Sequence, residues 1–308
     1  MIEQTFASGE QAVARQLIEM ALAEDLSSTG DLTCQALIRE DQMATVHVVA
    51  RQSGVLCGAP IGRMVFAKLD TSVRWEGLWR DGTRISPGTI VARVTGPLAT
   101  LLIGERTMLN FMTHLSGIAS LTRKFVDAVE GTRAQILDTR KTLPGWRLLE
   151  KYAVRCGGGT NHRIGLFDGV LIKDNHLAAW TESSSIAKAV QTARSNSPAG
   201  VSIEVEVDSL EQLKDALKGA PDIVLLDNMS VETLREAVSL RNAQAPTVRL
   251  EASGGVTLAT VADIAKTGVE RISVGALTHS APALDLAFDW PSDMPVVRLR
   301  SPSPTATT

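Results

Sequence analysis

The chain has few aromatic residues, few cysteines and no long apolar run, and each shortage excludes a class of protein. Three cysteines among 308 residues, Cys34, Cys57 and Cys156, are odd in number and far apart. That pattern argues against a disulfide framework and fits a reducing compartment. No apolar stretch approaches the roughly 20 residues a membrane-spanning helix needs. The opening residues, Met1 to Phe6, carry an early acid and no basic segment followed by an apolar one. No signal peptide is therefore expected, and the cytoplasm is the expected location. Net charge is −3 and the isoelectric point about 6.0. Such a balance provides no broad basic face, so neither nucleic acid nor membrane is an expected partner and anion binding has to be local. With aromatics at 4%, core volume must come from Leu, Val, Ile and Ala.

What is present suits a globular protein. Apolar residues make up 44% and charged residues 21%, enough for a sizeable core. The length fits one β/α barrel of about 200 to 250 residues with a smaller appended domain. Val13, Leu17, Ile18, Met20, Ala21 and Leu22 recur near helical spacing, which predicts an opening helix over 11–26. Between 44 and 94 the pattern turns β-like at 46–49 and 90–94, broken by Gly54, Gly58, Asp81-Gly82 and Pro87-Gly88. A small α+β domain fits that mixture. Residues 98–129 read as helix, with room for an interruption near Gly117 and a stop at Gly131. Short apolar runs at 135–138, 169–172, 202–207, 223–226, 248–251 and 271–274 then alternate with helical segments, the pattern of parallel β/α units. Six or seven visible strands leave an incomplete, a seven-stranded and an eight-stranded barrel open.

The chemistry gathers at the ends of these runs, which in a β/α barrel form the active-site rim. Asp138 to Thr142, Gly157 to Arg163 and Leu171 to His176 are three cationic clusters after short apolar or glycine-rich runs, and they suit a small, highly anionic substrate. Arg140 and Arg163 can each grip a carboxylate or phosphate with two parallel hydrogen bonds, while Lys141 and Lys173 supply compact charge. Taken singly, such cations are more often solvated loop residues, and a lone His162 is more often structural. Glu204 and Glu206 alternate with Ile203, Val205 and Val207, which puts both acids on one face of a strand. Glu206 and Asp227 are candidates for holding sugar hydroxyls or Mg²⁺, with a structural ion pair as the competing reading. Ser253-Gly254-Gly255 and Gly275 lie at or after the last strands, where backbone N–H groups often bind phosphate. Arg106 shares a helical face with Leu102 and Leu109, which marks either a buried ion pair or a subunit contact.

With these residues in place, the chain resembles the quinolinate phosphoribosyltransferases, also called nicotinate-nucleotide pyrophosphorylases (carboxylating). The resemblance runs from about Gln16 to Phe288. It takes in Glu105-Arg106-Thr107, His114 to Ala119, Asp138 to Thr142, Leu149 to Val154, Cys156 to Arg163, Leu171 to His176, Glu204 to Asp208, Leu225 to Asn228, Glu251 to Gly255 and Val274 to Leu277. It implies transfer of a phosphoribosyl group from phosphoribosyl pyrophosphate to quinolinate, giving nicotinate mononucleotide, CO2 and pyrophosphate with Mg²⁺ present. Arg106, Arg140, His162, Arg163 and Lys173 would bind the quinolinate carboxylates, and Lys141 would meet the pyrophosphate. Glu206 and Asp227 would hold ribose hydroxyls and metal, with Ser253, Gly254, Gly255 and Gly275 at the phosphate end. Arg106 would complete a neighbouring subunit's site in a homodimer or a larger assembly. Trp146 departs from the smaller apolar residue expected after Pro144-Gly145.

The expected fold is therefore α/β, an incomplete, about seven-stranded β/α barrel with an N-terminal α+β sandwich domain. The expected division is an N-terminal domain over 1–115 joined by 280–297, a barrel over 116–279 and a mobile tail over 298–308. Two other functions remain on the table: a phosphoribosyltransferase for another aromatic acid, and a catalytically silent phosphate-binding barrel.

Overall fold

The computed structural model describes residues 5–291. The expected tail over 298–308 lies outside them, as does the part of the 280–297 connection beyond 291. The first half runs α1 (Ser8–Leu26), α2 (Leu32–Leu37), β1 (Met43–Ala50), β2 (Gly54–Val55), α3 (Ala59–Leu69), β3 (Arg74–Gly77), β4 (Arg84–Ile85), β5 (Ile90–Pro97) and α4 (Leu98–Ala128). The second half runs β6 (Gln135–Leu137), α5 (Arg147–Cys156), β7 (Val170–Ile172), α6 (Asp174–Ala179), α7 (Ile186–Asn196), β8 (Ile203–Val207), α8 (Leu210–Lys218), β9 (Ile223–Asp227), α9 (Val231–Gln244), β10 (Arg249–Ser253), α10 (Val261–Ala265), β11 (Arg271–Ser273), α11 (Ala276–His279) and β12 (Leu286–Asp289).

Burial follows the periodicities. In α1 the residues Ala14, Ile18 and Leu22 recur every four positions and are buried. Asp31 caps α2, its carboxylate accepting the amides of Thr33 and Cys34. An antiparallel sheet of order β12-β1-β5-β3 carries the N-terminal region. Its alternating strand β1 buries Ala44, Val46 and Val48. Helix α4 packs on α3, on β5 and on β12, and so joins this layer to the second half.

Six parallel strands in the order β6-β11-β10-β9-β8-β7 make the second sheet in a barrel-like arrangement. Thr160 adds a single parallel bridge to Leu137 on the free side of β6. The barrel-like sheet thus has six strands and one abbreviated seventh position among the described residues, a position whose glycines and polar residues hide it from any apolar-run search. Strands β8 and β9 are buried on both faces, as parallel strands covered by helices are. Helix α4 is not interrupted at Gly117. A Cβ there would stand 2.2 Å from the Pro282 carbonyl oxygen, so this glycine admits a crossing chain. Trp146, the unexpectedly large residue, stacks on Phe111 at 4.8 Å and meets His114 edge-on at 5.3 Å, both on α4.

Candidate active site

At the C-terminal ends of the parallel strands lies a cavity of about 800 Å³. Its wall receives Arg140 and Lys141 from after β6, His162 and Arg163 from after the Thr160 bridge, Lys173 from after β7, Glu206 from β8 and Asp227 from β9. Ser253, Gly254 and Gly255 come from the end of β10, and Gly275 from after β11. Eleven of the sequence-predicted site residues meet here; Arg106 does not. Thr139 and Asn228, which lie in the stretches that carry the resemblance without having been assigned a role, also line the cavity, as do Thr257 and His279, which were missed from the sequence.

The cations are incompletely satisfied. Arg140 keeps its Nε buried without a hydrogen-bond partner. Arg163 donates to the Gly169 carbonyl at 3.0 Å, and its pKa is pushed down first by burial and then by the neighbouring Arg140. Two guanidiniums that repel each other across a cavity favour an anion between them. Lys173 pairs with Glu206, whereas among the described residues the Lys141 side chain meets no acid. Asp227 accepts from the Asn228 amide at 2.7 Å. Gly254, at φ 93°, lets the β10 turn approach that amide, since a Cβ would fall 2.1 Å from Asn228 Oδ1.

Behind the wall are two buried networks. Asp138 and Lys151 pair with no exposure of either side chain. Asp138 also accepts from Asn161 Nδ2 at 2.5 Å and from the His162 amide at 2.8 Å. The second network centres on the His162 ring, whose Nε2 lies 3.1 Å from Glu204 and 3.4 Å from Glu251. Arg271 Nε holds the other Glu251 oxygen at 2.6 Å. Burial alone would push His162 down, but Glu204 and Glu251 outweigh it and raise the ring to about 9.

Arg106 projects from the exposed side of α4 and makes no ion pair with another element among the described residues. The buried ion pair that its helical stripe allowed is thus not formed among the described residues. His114, eight positions further along α4, stands beside Arg140, Lys141 and His279. That spacing puts Arg106 about 12 Å up the helix axis from the cavity's edge.

Fold and site together define a β/α phosphate-handling enzyme with an anion cavity at the strand ends. A profile described as "Quinolinate phosphoribosyl transferase, C-terminal domain" matches residues 118–289, and its N-terminal counterpart matches 31–116. The chain is 46% identical over 278 residues to the nicotinate-nucleotide pyrophosphorylase [carboxylating] of Mycobacterium leprae, covering 90% of this chain and 96% of that one. A probable nicotinate-nucleotide pyrophosphorylase [carboxylating] of Bacillus subtilis is 42% identical, with 89% and 92% covered. The solved structure of NadC from Streptococcus pyogenes superposes with a TM-score of 0.86 at 38% identity, covering 92% of this chain and 98% of that one. This chain belongs to the quinolinate phosphoribosyltransferase family.

Proposed function

We propose that the chain transfers the phosphoribosyl group of phosphoribosyl pyrophosphate to the ring nitrogen of quinolinate. The products are nicotinate mononucleotide, CO2 and pyrophosphate, and the reaction serves de novo NAD biosynthesis. The observation that carries this reading is the set of incompletely paired cations, Arg140, Lys141 and Arg163, facing one cavity together with Lys173. A dianionic acid and a diphosphate can satisfy them; a single carboxylate cannot.

Quinolinate lies against Arg140, Arg163 and Lys173, and Lys141 takes the departing pyrophosphate. The turns at Ser253-Gly254-Gly255 and Gly275 receive the ribose 5-phosphate through backbone N–H groups. As pyrophosphate leaves, positive charge grows on the ribose, and the Glu206 and Asp227 carboxylates stabilise it while holding the hydroxyls. Once alkylated, the ring nitrogen is cationic and stabilises the electron pair left on the adjacent carbon when its carboxylate departs as CO2, and a proton from solvent then takes the carboxylate's place. The protein's share is positioning and fixed charge. Glu206 and Asp227 offer the hard oxygen donors that Mg²⁺ takes when it arrives with phosphates, so the residues present fit that ion. Bound there, it would neutralise part of the diphosphate's charge.

The active unit is a homodimer in which Arg106 reaches the partner's cavity. Its exposure on α4 supports this, as do Leu166 and Phe167, 72% and 82% exposed beside Arg163 where a second copy would cover them. The cytoplasm is its place, in keeping with three free, buried cysteines. Among the described residues no helix is long and apolar enough to cross a membrane.

The test is to incubate purified protein with Mg²⁺, phosphoribosyl pyrophosphate and either quinolinate or nicotinate. Quinolinate is expected to give mononucleotide with equal CO2, and nicotinate far less product. Preference for nicotinate would favour a one-carboxylate enzyme, and binding without turnover would favour a silent barrel.

A further inference from the structure

A second cavity, of about 1290 Å³, is walled by residues of α1, α3, β3 and α5, and Asp81, Tyr152 and Cys156 are among them. Cys57, wholly buried, lies against that wall. The sulfurs of Cys57 and Cys156 and a carboxylate oxygen of Asp81 all lie within 4.8 Å of one another. Cys57 follows β2, Asp81 stands in the turn between β3 and β4, and Cys156 ends α5. We propose that these three residues bind one borderline-soft divalent cation of the zinc class, which ties the N-terminal layer to the barrel. None of the three lines the strand-end cavity, so this site stands whatever reaction occurs there.

Two sulfurs and one carboxylate oxygen suit Zn²⁺ and its analogue Co²⁺, whereas Mg²⁺ and Ca²⁺ take oxygen alone. Around a tetrahedral zinc such donors stand roughly 3.6 to 3.8 Å apart, so small side-chain rotations close the present spacing. The donors sit on fixed backbone. The Cys57 amide donates to Ser116 Oγ at 2.9 Å, and that hydroxyl donates back to the Cys57 carbonyl at 3.0 Å. Asp81 accepts from Gly58, Ala59 and the Tyr152 hydroxyl, which fills three of about four acceptor positions on a carboxylate. No lysine or arginine among the described residues pairs with it. Burial keeps the Tyr152 hydroxyl protonated, so it orients Asp81, and the fourth coordination position falls to water from the cavity. Burial and the Cys156 thiol push the Cys57 thiol up. A thiolate becomes a ready nucleophile beside a cation or a helix N-terminus, but Cys156 ends a helix, where the carbonyls favour a cation. Thiolates form here when the metal displaces their protons: two S–Zn bonds replace two S–H bonds, and two protons pass to solvent.

The full chain, stripped of metal and kept under a non-chelating reductant, is titrated with Co²⁺ and then with Zn²⁺ while its absorption is followed. One equivalent of Co²⁺ is expected to give a thiolate-to-cobalt charge-transfer band with the visible bands of a tetrahedral ion. Zn²⁺ should abolish both, excess Mg²⁺ neither. Zinc at a hundredfold excess over its Kd should also raise the thermal midpoint by about 5 °C. Cys57→Ser and Cys156→Ser should each lose the band, and Cys34→Ser, which removes the remaining cysteine, should keep it. Proton release measured on the wild type in weak buffer needs no variant, and about two protons per zinc are expected. A cobalt spectrum without the sulfur band, as binding at the strand-end carboxylates would give, overturns the proposal. So does a band that survives in Cys57→Ser or Cys156→Ser, or zinc uptake that releases no protons.

Discussion

Lys151 and Asp138 pair with no exposure of either side chain, whereas Lys173 and Glu206 pair at the cavity mouth with 43% and 15% of theirs exposed. The chemistry is the same and the use is opposite. Asp138 is saturated by Lys151, Asn161 and the His162 amide, and Lys151 also holds the His162 carbonyl. Burial raises Asp138 and lowers Lys151 despite their attraction, so this pair costs desolvation and repays it by fixing the Asn161–His162 backbone. Among the described residues Glu206 has Lys173 as its one side-chain partner, and both line the cavity. An unsaturated pair at an opening can exchange partners with a ligand; a saturated one in the wall cannot.

The largest effect should come from breaking the closed pair. Lys151→Ala leaves Asp138 buried without its cation and is expected to cost about 3 to 5 kcal/mol of stability, read as a lowered thermal midpoint; an unchanged midpoint would end the distinction. Opening the exposed pair should do the reverse. Lys173→Ala should leave the midpoint nearly where it was while kcat/KM for quinolinate falls about 100- to 1,000-fold, and steady-state kinetics beside a thermal melt checks both halves.

Asp81 sharpens the comparison as an enclosed carboxylate with donors but no ion-pair partner among the described residues. It accepts the amides of Gly58 and Ala59 and the Tyr152 hydroxyl at 2.7, 3.1 and 2.9 Å. Burial nevertheless lifts its pKa from 3.8 to about 6. Because the folded value lies above the unfolded one, its contribution is full below about pH 4 and is lost as pH rises through 6, by at most about 3 kcal/mol. Asp81→Asn should flatten that part of a stability profile measured between pH 4 and 7, and an unaltered profile would show that Asp81 titrates normally.

Strand ends were legible in the sequence because apolar runs stop abruptly at polar residues, and those stops place Lys173, Glu206 and Asp227 on the cavity wall. Depth was not legible. Glu204 and Glu206 share a face, yet the first is 4% exposed under His162 and the second meets Lys173 at the mouth. Alternation fixes the side of a strand and says nothing of how far along the barrel axis a residue sits. The surroundings of His162 were equally hidden, since Glu251 and the Arg271 that holds it come from neighbouring strands whose register only the fold supplies. Gly117 misled because a glycine inside a helix pattern signals either a break or a close approach, and the Pro282 carbonyl that decides between them is distant in sequence.

Strand β12 lies antiparallel beside β1, pairing Leu286 with Ala50 and Asp289 with His47. Among the described residues the earliest strand therefore waits for the last one. During synthesis β1 can gain β5 early, but its other edge stays open until the whole barrel has emerged, and an open edge invites pairing with another chain. A loop of that span closes slowly. The N-terminal layer is thus the part most exposed to misassembly in a growing or truncated chain, although it precedes the barrel in sequence.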